Sequence, residues 1–141
     1  MTEFPNVPAM HECPPRGKQK VFALCGDLIF PDGVEVPRLF KTDGASRPFF
    51  INWLPRFGRG FAAFIGHDYA YMTQLDGRKD ADRKLMSRLD HYTIEPKDRF
   101  TKKELRLIWY GVRLFGWIPW TLNKKRPSKY FFATYNELTN H

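Results

Sequence analysis

Two helix-like runs separated by five turn residues constrain this chain more than any other feature. Gly58 to Met72 is apolar and carries small residues at Gly60, Ala62, Ala63 and Gly66. Asp80 to Tyr92 has Leu85, Met86 and Leu89 at helical spacing. Between them, Thr73-Gln-Leu-Asp-Gly77 turns the chain. A connection this short predicts two helices packed antiparallel, and the small residues of the first allow a close approach.

Each run carries a polar group where packing calls for an apolar one. Positions 82, 85, 86 and 89 share a helix face, so Asp82 heads an apolar stripe and points inward. Positions 60, 63, 64, 67 and 71 also share a face, which sets His67 among Gly60, Ala63, Phe64 and Tyr71. Burying a polar group without a partner costs roughly 2–7 kcal/mol. A hydrogen bond between His67 and Asp82 satisfies both, fixes the imidazole tautomer and leaves the other ring nitrogen to act as a general base. A His–Asp pair that merely ties two helices together is the alternative, and both readings stand at this level.

The rest of the chain sets the class. Residues 1–19 contain Pro5, Pro8, Pro14 and Pro15 without a period and read as an extended arm that lies on something. Val21 to Phe30 is β-like, Pro31-Asp32-Gly33 is a turn, and Val34-Glu35-Val36 reads as a short return strand. Thr101-Lys-Lys-Glu104 is a capping box. It opens a third helix with Leu105, Ile108, Trp109, Val112 and Gly116 on one face, which Pro119 is expected to stop. The expected architecture is α+β and helix-dominant: an N-terminal β-hairpin, then about three helices, the first two antiparallel. Residues 20–120 form one globular domain, and 121–141 a basic, aromatic tail.

Composition narrows the partners without choosing one. The chain has 141 residues, 43% of them hydrophobic, which is enough for a single core. Lys and Arg number 23 against 15 Asp and Glu, a net charge of +8, which favours anionic partners. Trp109, Tyr110, Trp117 and Trp120, interleaved with Arg106 and Arg113, suit an anionic membrane surface, or equally the core of an amphipathic helix. Nucleic-acid binding rests on charge alone. Cys13 and Cys25 make neither a disulfide framework nor a zinc site. No cationic stretch followed by an apolar run opens the chain, and no apolar stretch is long enough to span a bilayer, so synthesis and folding in cytoplasm are expected.

Two further carboxylates bear on the His–Asp pair. Asp68 lies about 100° around the helix from His67 and must take a different partner. Asp43 sits in an Asp43-Gly44 loop just before the helices. Two carboxylates and loop carbonyls make an all-oxygen set, which suits calcium rather than zinc or iron. An ordinary Asp-Gly turn at Asp43, and a surface charge or a salt bridge to Arg78 or Arg83 for Asp68, are the plainer alternatives.

Asp43-Gly-Ala-Ser46, then Ala63-Phe-Ile-Gly-His67-Asp68-Tyr-Ala-Tyr71, then an Asp on the next helix, resembles the prokaryotic phospholipase A2 family. The resemblance implies His67 as general base, Asp82 as its partner and Tyr71 in support of the pair. It implies Asp43, the Gly44 carbonyl and Asp68 as calcium ligands. The family's two half-cystines in these motifs fall at Ala45 and Phe64 here, a joint loss that fits a reducing compartment.

Over more of the chain, roughly residues 34–117, the sequence resembles an uncharacterised family encoded by tailed bacteriophages and prophages. Thr42-Asp-Gly-Ala-Ser-Arg-Pro48, His67-Asp-Tyr-Ala-Tyr71 and an Arg78-Lys-Asp-Ala-Asp82 helix carry that likeness. Two functions follow as expectations. One is a phage-encoded, calcium-dependent lipid-ester hydrolase acting on the host envelope. The other is a non-catalytic component of the particle (tail, tail tip or neck) whose arms bind other virion proteins. Both imply synthesis in the host cytoplasm and association with the virion.

Overall fold

The computed structural model describes residues 8–16, 19–42, 61–91, 100–124, 132–134 and 138. Among the described residues, five short strands precede four helices. They are β1 (Met10–Arg16), β2 (Gln19–Leu24), β3 (Leu28–Ile29), β4 (Glu35–Val36) and β5 (Lys41–Thr42), then α1 (Phe61–Thr73), α2 (Arg78–His91), α3 (Lys102–Phe115) and α4 (Trp117–Lys124). The class is the expected α+β with helix dominant.

Part of the proline-rich arm is a strand. β1 pairs antiparallel with β2, Met10 opposite Leu24 and Cys13 opposite Val21, and the ladder slips between Cys13 and Arg16. Pro14 and Pro15 lie in that interval, and neither has an N–H to give the ladder. The strand order β1-β2-β5 puts them on an edge, where proline is tolerated.

The β-like run Val21–Phe30 is divided between two sheets. The chain bends at Cys25 and Gly26, β2 stays in the three-stranded sheet, and β3 joins β4 in a separate hairpin. The bend is held by hydrogen bonds that the local pattern does not announce: Cys25 N–H to the Ala9 carbonyl at 2.8 Å, and Arg38 N–H to Asp27 Oδ1 at 2.8 Å. The Pro31-Asp32-Gly33 turn is as read. Gly33 has φ +90°, a backbone that side chains with a Cβ rarely adopt, and Asp32 Oδ1 accepts from Val34 N–H.

α1 is the axis of the molecule. From Ala62 through Asp68 every residue is buried: the apolar and glycine positions by packing, and His67 and Asp68 with hydrogen-bond partners. One side packs against the hairpins, with Ala62, Ile65 and Met72 meeting Leu24, Leu28, Phe30, Val36 and Phe40. The other packs against α2 and α3, with Ala63 and Phe64 meeting Leu85, Leu89, Ile108 and Val112.

The capping box at Thr101 is present in full, with Thr101 Oγ1 accepting from Glu104 N–H and Glu104 Oε1 from Thr101 N–H. Pro119 does not stop the helical path. α3 ends at Phe115, and Pro119 sits in the first turn of α4, where its missing N–H would have had no intrahelical partner. Helix therefore continues to Lys124, into the stretch read from sequence as tail. Of that stretch, Phe132 bridges to Phe40 and Ala133 donates to the Leu39 carbonyl at 2.8 Å.

An ion pair between a buried arginine and a solvent-reached aspartate ties the β3–β4 hairpin to α2. Arg88 is 1% exposed, its Nε donates to Asp32 Oδ2 at 2.9 Å, and its guanidinium lies 4.0 Å from the centre of the Phe30 ring. Burial pushes the Asp32 carboxyl up, but hydrogen bonds from Arg88 and Val34 N–H outweigh it and hold the group below its ordinary range. Gly66 makes room for this pair. A Cβ there meets Arg88 Nη1 and the Phe30 ring at less than 3 Å, and both side chains are locked. Gly66→Ala is therefore expected to destabilise by about 1–3 kcal/mol, as overpacking does. The sign is opposite to the gain of about 1 kcal/mol for the same change in an exposed helix. A urea midpoint that stays put or rises contradicts this packing.

Candidate functional site

The turn between α1 and α2 brings His67 and Asp82 together. Asp82 is fully buried, and its Oδ1 lies 2.7 Å from His67 Nε2. Tyr71, one turn along α1 from His67, donates its hydroxyl to the same oxygen at 2.6 Å. The His67 and Tyr71 rings lie 4.2 Å apart, so the two donors reach Asp82 side by side. Asp80, the neighbouring acid on α2, is 63% exposed by its side chain and sits 3.8 Å from Arg83; it takes no part.

Two arginines that the sequence reading did not assign here complete the cluster. Arg113 of α3 donates from Nη1 to Asp82 Oδ2 at 2.7 Å, and Arg78 Nη1 stands 3.8 Å from that oxygen. Arg78 also donates to the carbonyls of Val112 and Arg113, at 3.0 and 3.3 Å, in the last turn of α3. The Val112 carbonyl also accepts from Gly116 N–H at 2.9 Å, so Arg78 is a second donor at that end of α3. One carboxylate thus accepts from α1 twice and from α3 once, while sitting on α2. From sequence Arg113 reads with Arg106 as a cation among aromatics suited to an anionic membrane surface; the structure turns it to Asp82 instead.

The electrostatics follow from this crowding. Burial pushes the Asp82 carboxyl up, yet the hydrogen bonds from His67, Tyr71 and Arg113 outweigh it and hold the group below its ordinary value of 3.8. Asp82 is therefore an anion at neutral pH and can only accept. The Nε2 of His67 must then carry the proton in that bond, which leaves Nδ1 as the nitrogen free to accept in the neutral ring. Burial, and then the adjacent Asp82 charge, push the Tyr71 phenol well above its usual value, so it stays a donor. The His67 side chain is 9% exposed.

Asp68 turns to the sheet. It is buried at 8% exposure, and Thr42 Oγ1, at the end of β5, donates to its Oδ2 at 3.4 Å. Its carboxylate thus lies beside the residue that precedes Asp43 in the chain. Asp43 and Gly44 themselves lie outside the described residues. Among the described residues, no group of three or more His, Cys, Asp or Glu side chains is arranged to hold a metal ion. Of the expected calcium ligands, Asp68 alone has a described position.

A family described as a protein of unknown function (DUF1353) matches residues 22–102, from β2 to the start of α3. No curated protein and no solved structure matches the chain. The matched span includes His67, Asp68, Tyr71 and Asp82, and ends before Arg113.

Since the folded Asp82 carboxyl lies below its ordinary value, its contribution to stability is complete above about pH 5 and is lost as pH falls through the folded value. Asp82→Asn keeps the volume and removes the charge. It is expected to cost roughly 3 kcal/mol at pH 7, with the gap to the native chain narrowing as the pH falls below 4. A difference in urea stability that stays constant across that range contradicts the assignment.

Proposed function

The chain belongs to the DUF1353 family of proteins of unknown function, and from that premise we propose a phospholipase A2-like hydrolase of lipid esters, encoded by a bacteriophage and acting on the host envelope. One observation carries the reading: His67 Nε2 lies 2.7 Å from the Asp82 carboxylate, and an ionised carboxylate there calls for the tautomer that leaves Nδ1 as the base. In this reading His67 Nδ1 takes a proton from water as the water attacks the ester carbonyl, and returns it to the alcohol oxygen as the ester C–O bond breaks, releasing fatty acid and lysolipid. Asp82 keeps the ring in place and stabilises the imidazolium that forms. Tyr71 and Arg113 hold Asp82 in turn, so the carboxylate cannot rotate away from the ring. Asp68, with Asp43 and the Gly44 carbonyl, would hold calcium, which when bound supplies positive charge to an ester oxygen. The motif likenesses set out above support the phage origin and the lipid-ester substrate.

A second reading has its own support. Three hydrogen bonds from two other helices, with the Arg78 charge beside them, converge on Asp82, as they would in a structural tie. The protein would then be a non-catalytic part of the phage particle, in tail, tail tip or neck, binding neighbouring virion proteins.

Fatty-acid release from anionic phospholipid vesicles separates the two. The hydrolase reading expects release that needs calcium and falls by about 10²–10⁴ in His67→Ala, the range for loss of a general base. Background release from the native chain and from His67→Ala alike, with and without calcium, leaves the structural reading.

A further inference from the structure

α3 and α4 have two apolar stripes, and among the described residues only one of them is buried. The inner stripe, Ile108, Val112 and Gly116, is buried against α1 and α2. At about 100° per residue, Leu107, Tyr110, Leu114, Trp117 and Ile118 fall on the opposite side of the helical path. The path stays helical across the junction, since Gly116 N–H bonds the Val112 carbonyl at 2.9 Å and Trp120 N–H the Gly116 carbonyl at 3.1 Å. These side chains, with Leu122, are between 42% (Ile118) and 63% (Leu114) exposed. So much contiguous apolar surface on one face marks an interaction site.

The charges around the stripe say what it meets. From Leu105 to Lys124 there is no acidic residue. Lys102, Lys103 and Arg106 are exposed at one end, and Lys124 at the other. We propose that the outer face of α3–α4 is a docking surface for an anionic phospholipid bilayer, with the apolar stripe entering the interface and the cations on the head groups. A second copy of this chain is a poor occupant, because pairing the stripe would bring two cationic rims together. Tyr110 and Trp117 have the amphipathic rings that settle at head-group depth. Among the described residues no helix is long and apolar enough to cross a membrane, so the contact lies along the surface. The backing is rigid. Trp120 packs edge-on against Tyr71 at 5.1 Å and its carbonyl accepts from Gln74 Nε2 at 2.7 Å, which fixes α4 to α1.

This docking goes beyond the hydrolase reading, because it needs neither His67 nor Asp82. Co-sedimentation of the full chain with vesicles tests it. Vesicles of equal parts phosphatidylglycerol and phosphatidylcholine should pellet the protein at low salt, and pure phosphatidylcholine far less. Lys103→Ala/Arg106→Ala, at two exposed positions, should weaken partitioning about thirtyfold, as expected for two lost cation contacts. Leu114→Ser/Trp117→Ser should weaken it at least as much, with the circular dichroism of both variants unchanged. His67→Ala should pellet like the native chain. Failure to pellet with anionic vesicles, or pelleting that neither pair of substitutions alters, overturns the proposal. So does a native dimer in sedimentation velocity that Leu114→Ser/Trp117→Ser dissociates while vesicles leave the protein in solution. Pelleting without fatty-acid release sinks the hydrolase alone, and cleavage of a soluble short-chain ester without pelleting sinks the docking surface alone.

Discussion

A single buried carboxylate holds the helical half of this protein together. Asp82 gains nothing from its surroundings except through its partners, since an isolated charge in an apolar interior is strongly disfavoured. Once paired, it becomes a constraint on three helices: His67 and Tyr71 set the rotation of α1, and Arg113 sets the rotation of α3. Arg78 extends the constraint by holding the last carbonyls of α3. Apolar contacts between Phe64, Leu85 and Val112 supply most of the attraction, but they tolerate sliding and rotation; short charge-assisted hydrogen bonds do not.

The strand half is fixed by a second pair built on the same logic. Arg88 leaves α2 on the side facing the β3–β4 hairpin and finds Asp32 in its turn. α2 thus carries an anion toward α1 and α3, and a cation toward the sheet. α1 runs between the two, with Gly66 beside the Arg88 pair and His67 beside the Asp82 cluster. Adjacent residues on one helix therefore serve opposite halves of the core, which explains why this stretch is buried all round yet not uniformly apolar.

Much of this was legible in the sequence, and the reason is local. Asp82 at the head of the Leu85–Leu89 stripe and His67 among small residues announce themselves by helical period, and a five-residue turn leaves them few ways to face. The capping box at Thr101 and the turn at Gly33 are equally local. Arg78 stands at i,i+4 from Asp82 and is legible by helical spacing, but the sequence reading offers it to Asp68 as a salt-bridge partner. Arg113 was missed because its partner lies on another helix, 31 residues away. The division of Val21–Phe30 between two sheets depends on hydrogen bonds to Ala9 and Arg38, which no β propensity reveals. Pro119 misled because a proline reads alike whether it ends a helix or begins one.

The chemistry turns on which nitrogen of His67 bears the proton. Nitrogen-15 NMR of the ring, at a pH where it is neutral, reads that directly. The account predicts a protonated Nε2, bonded to the Asp82 carboxylate, and an unprotonated Nδ1. A proton on Nδ1, with Nε2 accepting from a neutral Asp82, would contradict it.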